Sequence, residues 1–191
     1  MRRVAHTFRN RPPLYPPLIQ FLTEACRPLS YRLLAVLFGL GVALHNLEEA
    51  LFLPDWMRAH VRAGFRPNKK IYWVLAALVT AFLWVVISGS ILSPLSPRLH
   101  WAVCGFALAM SVNAVVPHLM ASLATRSYNP GTATGILLNL PLGWLLVRRE
   151  SAGRSFGEFL SHALPYALAL AVGALGTLWV AHWVVGRSQA R

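Results

Sequence analysis

The sequence predicts an all-α membrane protein, a polytopic bundle of about five transmembrane helices. Of its 191 residues, 56% are hydrophobic and only 13% are charged, whereas about a quarter of the residues in a soluble domain are charged. The mean hydropathy is +0.51. Several apolar stretches approach the roughly 20 residues that a helix needs to cross the hydrocarbon core of a bilayer. These observations exclude an ordinary soluble domain.

Five apolar stretches, taken in chain order, predict the helices. The first ends before Pro54, because proline removes a helical hydrogen bond and clashes with the preceding turn, and a basic loop follows it. The second stops at Ser93-Pro94, and the third begins after Pro97. The fourth is short, and the fifth carries small residues at the helical spacing that favours close packing in lipid. The predicted spans cover about residues 31–52, 71–92, 99–124, 132–147 and 163–185.

The N-terminal part of the chain has a different composition from the rest. Residues 1–28 are basic and rich in proline, so they predict a tail without a continuous helix. Residues 29–187 predict a single transmembrane helical domain. The apolar stretch after the tail is of spanning length and no small-residue cleavage site follows it, so we do not expect a cleavable signal peptide.

The net charge of +12 is the strongest bias in the composition. Such an excess is one characteristic of nucleic-acid-binding proteins. Here, however, the basic residues flank the apolar stretches, where they meet anionic lipid headgroups. We therefore expect the lipid bilayer, and no nucleic acid, as the partner of a multi-pass protein of the bacterial plasma (inner) membrane. The sequence is compatible with a homo-oligomer and does not fix the oligomeric state.

Near the end of the first predicted span the chain reads His45-Asn46-Leu47-Glu48-Glu49. A charged carboxylate at the centre of a membrane helix costs about 2.5–3.5 kcal/mol, so ionisable residues at such positions are candidates for function. A helix turns by about 100° per residue, which places His45, Glu48 and Glu49 on one face. The motif therefore predicts one imidazole and two carboxylates at a single place.

Polar residues on two further spans are predicted at the same depth as this motif. The first and third spans cross the bilayer in the same direction. At 1.5 Å per residue, Glu48 lies roughly 25 Å along the first span, and Asn113 and His118 lie roughly 21 and 28 Å along the third. Asn139 is roughly 10 Å into the fourth span from the same side. We therefore expect a polar pocket built from spans one, three and four.

The motif also resembles the signature of the HXXEE family of bacterial integral membrane proteins, whose function is unassigned. The resemblance covers about residues 36–146 and continues with Asn113 and His118 in the third span. It extends through Arg126-Ser127-Tyr128-Asn129-Pro130-Gly131 and on to Thr134. The resemblance implies site residues and no reaction, so the chemistry has to come from the residue types.

Two kinds of site fit these residues, and the sequence alone leaves both open. In the first, His45, Glu48, Glu49 and His118 supply the ligands of a single zinc or iron ion. In the second, which needs no metal, one carboxylic acid holds a proton while a histidine stabilises the other carboxylate. Glu48 or Glu49 would then be the general acid or base, and Asn113 would position the substrate or an oxyanion.

The predicted activity is acid/base or metal-assisted chemistry on a lipid-like or otherwise membrane-soluble substrate, by a membrane-embedded hydrolase or lipid-modifying enzyme. Asn139, Tyr128 and Arg126 are candidates for substrate binding, because they lie in or beside the predicted pocket. Two alternatives remain at this point. The protein could bind or transport a proton, an ion or a small molecule, or the polar residues could simply hold the helices together.

Overall fold

A computed structural model describes residues 30–61 and 69–188, and these residues fold into five helices, which confirms the predicted all-α class. Helix α1 is Tyr31–His60, α2 is Lys69–Leu92, α3 is Pro97–Thr125 and α5 is Phe156–Ser188. Helix α4 covers residues 132–150 and consists of Thr132–Thr134, the π-helical segment Gly135–Asn139 and Leu140–Glu150. The predicted N-terminal tail and the middle of the predicted basic loop lie outside the described residues.

Four of the helices in the described part of the chain are long and apolar enough to cross a membrane: α1, α2, α3 and the Phe156–Thr177 part of α5. Their most apolar windows have mean hydropathies from 1.4 to 2.3. By helix length and composition, the protein is therefore a multi-pass membrane protein. Helix α4 lies outside this set, so its crossing of the membrane stays a prediction.

Two predicted helix boundaries were wrong. Helix α1 continues through Pro54 to His60 instead of ending before the proline, and α5 begins at Phe156 instead of at about residue 163. Membrane helices tolerate internal proline because neighbouring groups compensate for the freed backbone atoms. In α1 the extra turn is also stabilised by the ring of His60, which stacks on Trp56 with 4.6 Å between the ring centroids.

Helix α3 lies at the centre of the bundle and contacts the other four helices. Its approach to α5 is close at Gly105, where a Cβ atom would lie 2.5 Å from the Cβ atom of Tyr166. The main core is formed by buried side chains of α1, α2, α3 and α4, among them Phe38, Val42, Leu83, Ile87, Val103 and Leu146. This packing fixes α1 and α4 against α3, and the polar residues sit at one end of the resulting core.

Candidate functional site

The site lies where the middle of α1 meets α3, the connection of residues 126–131 and the beginning of α4. Three groups meet at its centre. The Nε2 atom of His118 is 2.7 Å from Oε1 of Glu49, and the Nε2 atom of His45 is 3.4 Å from the same oxygen. Ligand atoms of these three residues all lie within 4.8 Å of one another. The two histidines are buried, and Glu49 is 22% exposed.

Asn113 completes the centre. Its Nδ2 atom is 3.0 Å from Nε2 of His45 and 3.1 Å from Nε2 of His118. In a regular α-helix Asn113 and His118, which are five residues apart, would be separated by about 140° around the axis. Both can face His45 because α3 changes to a π-helix over Ala114–Leu119, and the i to i+5 hydrogen bonds of a π-helix bring residues five apart nearly into line.

Proline accounts for the position of this π-helical segment. Pro117 lies inside it and has no N–H to donate to the carbonyl of Asn113 four residues earlier. The wider turn accommodates the proline ring, and π-bulges are common at functional sites. Helix α4 repeats the pattern, since its π-helical segment Gly135–Asn139 ends just before Pro141.

The outer nitrogen of each histidine is anchored. Nδ1 of His118 is 3.0 Å from Oδ1 of Asn129, and Nδ1 of His45 is 3.1 Å from Oγ1 of Thr134. The hydroxyl of Thr134 donates its own hydrogen to Oε2 of Glu48 at 2.7 Å, so it accepts from His45. Both Nδ1 atoms are therefore protonated donors, and in neutral imidazoles both Nε2 atoms carry lone pairs that face Glu49.

Glu48 belongs to a second layer around the centre. Its carboxylate accepts hydrogen bonds from the hydroxyls of Thr134 and Tyr128 and from the backbone N–H of Gly131. Its oxygens are not among the converging ligand atoms. The two adjacent glutamates thus have different positions: Glu49 faces the histidines, and Glu48 orients His45 through Thr134.

Gly131 permits the connection to pass close to both imidazoles. Its φ angle is +96°, a conformation that L side chains rarely adopt. A Cβ atom at this position would lie 2.7 Å from Cε1 of His118 and 3.0 Å from Cε1 of His45. Glycine is therefore required here both by the backbone conformation and by the available space.

The three residues predicted to bind substrate lie at different distances from the centre. Tyr128 is 55% exposed and donates to Glu48. Burial raises the pKa of its hydroxyl, and the hydrogen bond to Glu48 raises it further, so Tyr128 remains a donor at neutral pH. Asn139 is fully buried one turn deeper, against Gly41. Arg126 is exposed at the end of α3, where it has a left-handed backbone conformation.

Asn129 and Thr134, which anchor the two histidines, were not among the predicted site residues. Each belongs to the stretch that carries the family resemblance, and Asn129 reads as a simple turn residue because it precedes Pro130-Gly131. Its side chain is 4% exposed, whereas a turn residue is usually solvated. Polar residues that follow His118 within the family resemblance could therefore have been named as candidate site residues. The sequence could not show that Asn129 bonds to His118 and Thr134 to His45.

A cavity of about 440 Å³ adjoins the centre. Glu49, Asn113 and His118 lie at its polar end, and apolar side chains of α2, α3 and α5 form most of its remaining wall. The predicted pocket was to be built from spans one, three and four. The central residues lie on α1 and α3, with α4 contributing Thr134 beside them. The cavity is lined by α1, α2, α3 and α5, so the contribution of the second and fifth spans was missed.

Comparison with known proteins agrees with this geometry. A protein family described as "Protein of unknown function with HXXEE motif" matches residues 36–146, which is more than half of the chain. The chain belongs to the HXXEE family. The matched region contains the whole polar centre and both π-helical segments, and it ends before α5.

The chain is also similar in sequence to a bacterial protein. The uncharacterized protein YrkK of Bacillus subtilis (strain 168) is 31% identical over 110 residues, which cover 58% of this chain and 70% of that protein. No solved structure matches the chain significantly. These comparisons place the chain in the HXXEE family and assign no reaction to it.

Proposed function

We propose that this protein is a membrane-embedded metalloenzyme of the bacterial plasma membrane, in which His45, Glu49 and His118 bind one divalent transition-metal ion and act on a lipid-like substrate. One observation carries the proposal. Both histidines donate their Nδ1 hydrogens outward, to Asn129 and Thr134, and aim their Nε2 lone pairs at the same carboxylate. Histidines that bind metals almost always have their second nitrogen anchored in this way.

The balance of donors and acceptors at the centre leaves a place for a metal ion or a proton. The amide of Asn113 has two hydrogens, enough for one bond to each Nε2 atom. Nε2 of His118 and Oε1 of Glu49 then still face each other at 2.7 Å as two acceptors. A metal ion bound by both imidazoles and the carboxylate would remove this repulsion, as would a proton shared by His118 and Glu49. In the metal-bound centre both Nε2 lone pairs would go to the ion, and Asn113 would release them.

The ligand types indicate which metals fit. Two imidazoles and one carboxylate are the protein ligands of several catalytic zinc sites, which keep a fourth position for water or substrate. The same set binds iron(II) in non-haem oxygenases. A metal with an open position polarises a carbonyl group or lowers the pKa of bound water, so zinc would support hydrolysis. The adjoining apolar cavity supports a membrane-soluble substrate.

Elemental analysis of the purified protein tests the metal centre. We expect stoichiometric zinc or iron in the wild type and its loss in His45→Ala. His100→Ala is the matched control. His100 is near the start of α3 and pairs at 3.0 Å with Glu150 at the end of α4, far from the polar centre. Its replacement should not affect the metal content. A wild-type protein that stays metal-free after incubation with excess zinc or iron(II) would overturn the metal centre and favour a proton shared by Glu49 and His118.

A lipid comparison tests the enzymatic part. Wild-type protein and Glu49→Gln, each reconstituted with the lipid extract of a bacterial membrane, are incubated and their lipids are compared by mass spectrometry. We expect at least one lipid to be consumed by the wild type and by His100→Ala, and not by Glu49→Gln. A metal-loaded wild type that changes no lipid would contradict the enzymatic proposal and favour binding or transport.

A further inference from the structure

A second hollow extends the cavity away from the polar centre. It has a volume of about 330 Å³ and shares Leu75, Val79, Leu170 and Ala174 with the first cavity. The two are therefore parts of one groove, which runs between α2 and α5 over α3. We call it the α2–α5 groove.

The groove is long compared with one half of a bilayer. Its wall on α3 extends from His118 at the polar end to Ala102. These residues are 16 positions apart, which corresponds to about 24 Å of helix at 1.5 Å per residue. Half of a bilayer's hydrocarbon core measures about 15 Å. A long single hydrocarbon chain can therefore lie in the groove along its whole length.

The groove opens sideways towards the lipid. Leu78 and Phe82 of α2, Val116 of α3 and Leu175 of α5 line it and are 53% to 67% exposed. In a membrane these exposed apolar side chains face hydrocarbon. A chain can therefore enter from the bilayer without passing through water, and its head can reach Glu49 and His118.

The polar end of the lining shows where the head group lies. Among the described lining residues of both hollows, Glu49 is the only one with a formal charge, and none is a lysine or an arginine. Glu49, Asn113 and His118 stand together at one end, and most of the remaining wall is apolar. A polar head therefore fits at this end, beside the proposed metal ion, and a hydrocarbon chain fits along the rest.

We propose that the α2–α5 groove binds a lipid with one long hydrocarbon chain and an oxygen-bearing polar head, such as an alcohol, aldehyde, ester or amide, with the head at Glu49, Asn113 and His118. The proposal rests on the proposed function, because it names the substrate class of the same site. It makes the groove the element that selects for chain number and chain length.

Glycine positions on α5 provide matched variants. Gly173 lines the groove, and a Cβ atom added there would meet no atom within 4 Å. A phenylalanine at this position should fill the space that the chain would occupy. Gly176 has equally open surroundings and does not line either hollow, so Gly176→Phe places the same ring on α5 outside the groove.

Photolabelling of the protein in lipid nanodiscs tests the proposal. The probe is hexadecanol with a diazirine at the far end of its chain, and mass spectrometry locates the labelled peptides. We expect labels on the parts of α2, α3 and α5 around Val86 and Ala102. Labelling should fall about tenfold in Gly173→Phe, since losing room for about two methylene groups has an effect of that size, and should be unchanged in Gly176→Phe.

Comparison probes give the results that would overturn the proposal. A diacyl phospholipid with the same diazirine should label the groove much less than the alcohol. Equal labelling by the phospholipid, equal labelling of the two glycine variants, or no label in the groove would each refute the proposal. His45 is a proposed metal ligand that does not line the groove. Labelling retained in metal-free His45→Ala would support the groove even if the metal centre were disproved.

Discussion

The Nε2 atom of His118 lies 2.7 Å from Oε1 of Glu49. At that distance a proton or a metal ion must lie between the two atoms, and the opposite ring nitrogen of His118 is already hydrogen-bonded to Asn129 at 3.0 Å. The Nδ1 atom of His45 is anchored in the same way, by the hydroxyl of Thr134. In the proposed metal centre both Nε2 lone pairs would face the ion, so metal affinity should also depend on residues that never touch it.

Asn129→Leu should weaken metal binding without removing a ligand. The change leaves Nδ1 of His118 without its acceptor, so the ring can rotate and change tautomer. Loss of such an outer hydrogen bond usually costs about 10- to 100-fold in metal affinity. Competition with a metal chelator of known affinity measures the effect. Asn46→Leu is the control, because Asn46 is also buried but donates to Thr80 at 2.8 Å. An equal loss in both variants would assign the effect to packing.

Replacing the two glutamates one at a time should separate their roles. Glu49→Gln removes the carboxylate that faces both histidines, and we expect it to abolish metal binding while the protein still assembles. Glu48→Gln leaves all three proposed ligands in place and weakens the contacts that hold Thr134 and Gly131 beside the histidines, so it should lower affinity by about 10- to 100-fold. Metal content and size-exclusion behaviour in detergent would be measured together. Complete loss in Glu48→Gln with retention in Glu49→Gln would reverse the assignment.

Gly131→Ala should destabilise the protein more than Gly153→Ala. Both glycines have positive φ angles, +96° and +81°, and a residue with a side chain pays about 1–2 kcal/mol for a left-handed conformation. At Gly153 an added Cβ meets no atom within 4 Å, whereas at Gly131 it collides with both imidazoles. Crowding should add about 1–3 kcal/mol. Thermal unfolding would show the difference, and only Gly131→Ala should lose metal. Similar behaviour of the two variants would contradict the close approach.

Much of this site follows from sequence patterns, and the missing part has a physical cause. Apolar length predicted the helices, and helical rise predicted that Asn113 and His118 would lie at the depth of the motif in α1. The α-helical period, however, places Asn113 and His118 on different faces. The π-helical segment that unites them depends on Pro117 being accommodated by widening rather than by a kink, and the packing of α3 decides between these outcomes.

The different positions of Glu48 and Glu49 could not be predicted for a related reason. Two adjacent glutamates on one helical face cannot be given different roles until the side chains that surround each of them in the fold are known. The carboxylate of Glu48 accepts hydrogen bonds from Tyr128, Gly131 and Thr134. The carboxylate of Glu49 instead faces His45 and His118. The connection between α3 and α4 is thus what distinguishes the two glutamates, and its path depends on the positive φ angle of Gly131.

Asn139→Leu should leave stability unchanged or raise it. Asn139 is fully buried, and within the described structure neither Oδ1 nor Nδ2 has a hydrogen-bond partner. An unsatisfied buried polar group costs about 1–3 kcal/mol, and a leucine of similar volume removes that cost. Asn46→Leu again serves as the control, because it breaks a hydrogen bond to Thr80 and should destabilise. Thermal unfolding in detergent compares the two variants.

The result for Asn139 also bears on its predicted role in substrate binding. A variant that is as stable as the wild type but no longer consumes the lipid would show that the amide is retained for function at the expense of stability. A variant that is destabilised as much as Asn46→Leu would contradict the prediction, because it would mean that the amide has a partner in the folded protein. Full stability with full lipid turnover would remove Asn139 from the site, leaving the centre to His45, Glu49, Asn113 and His118.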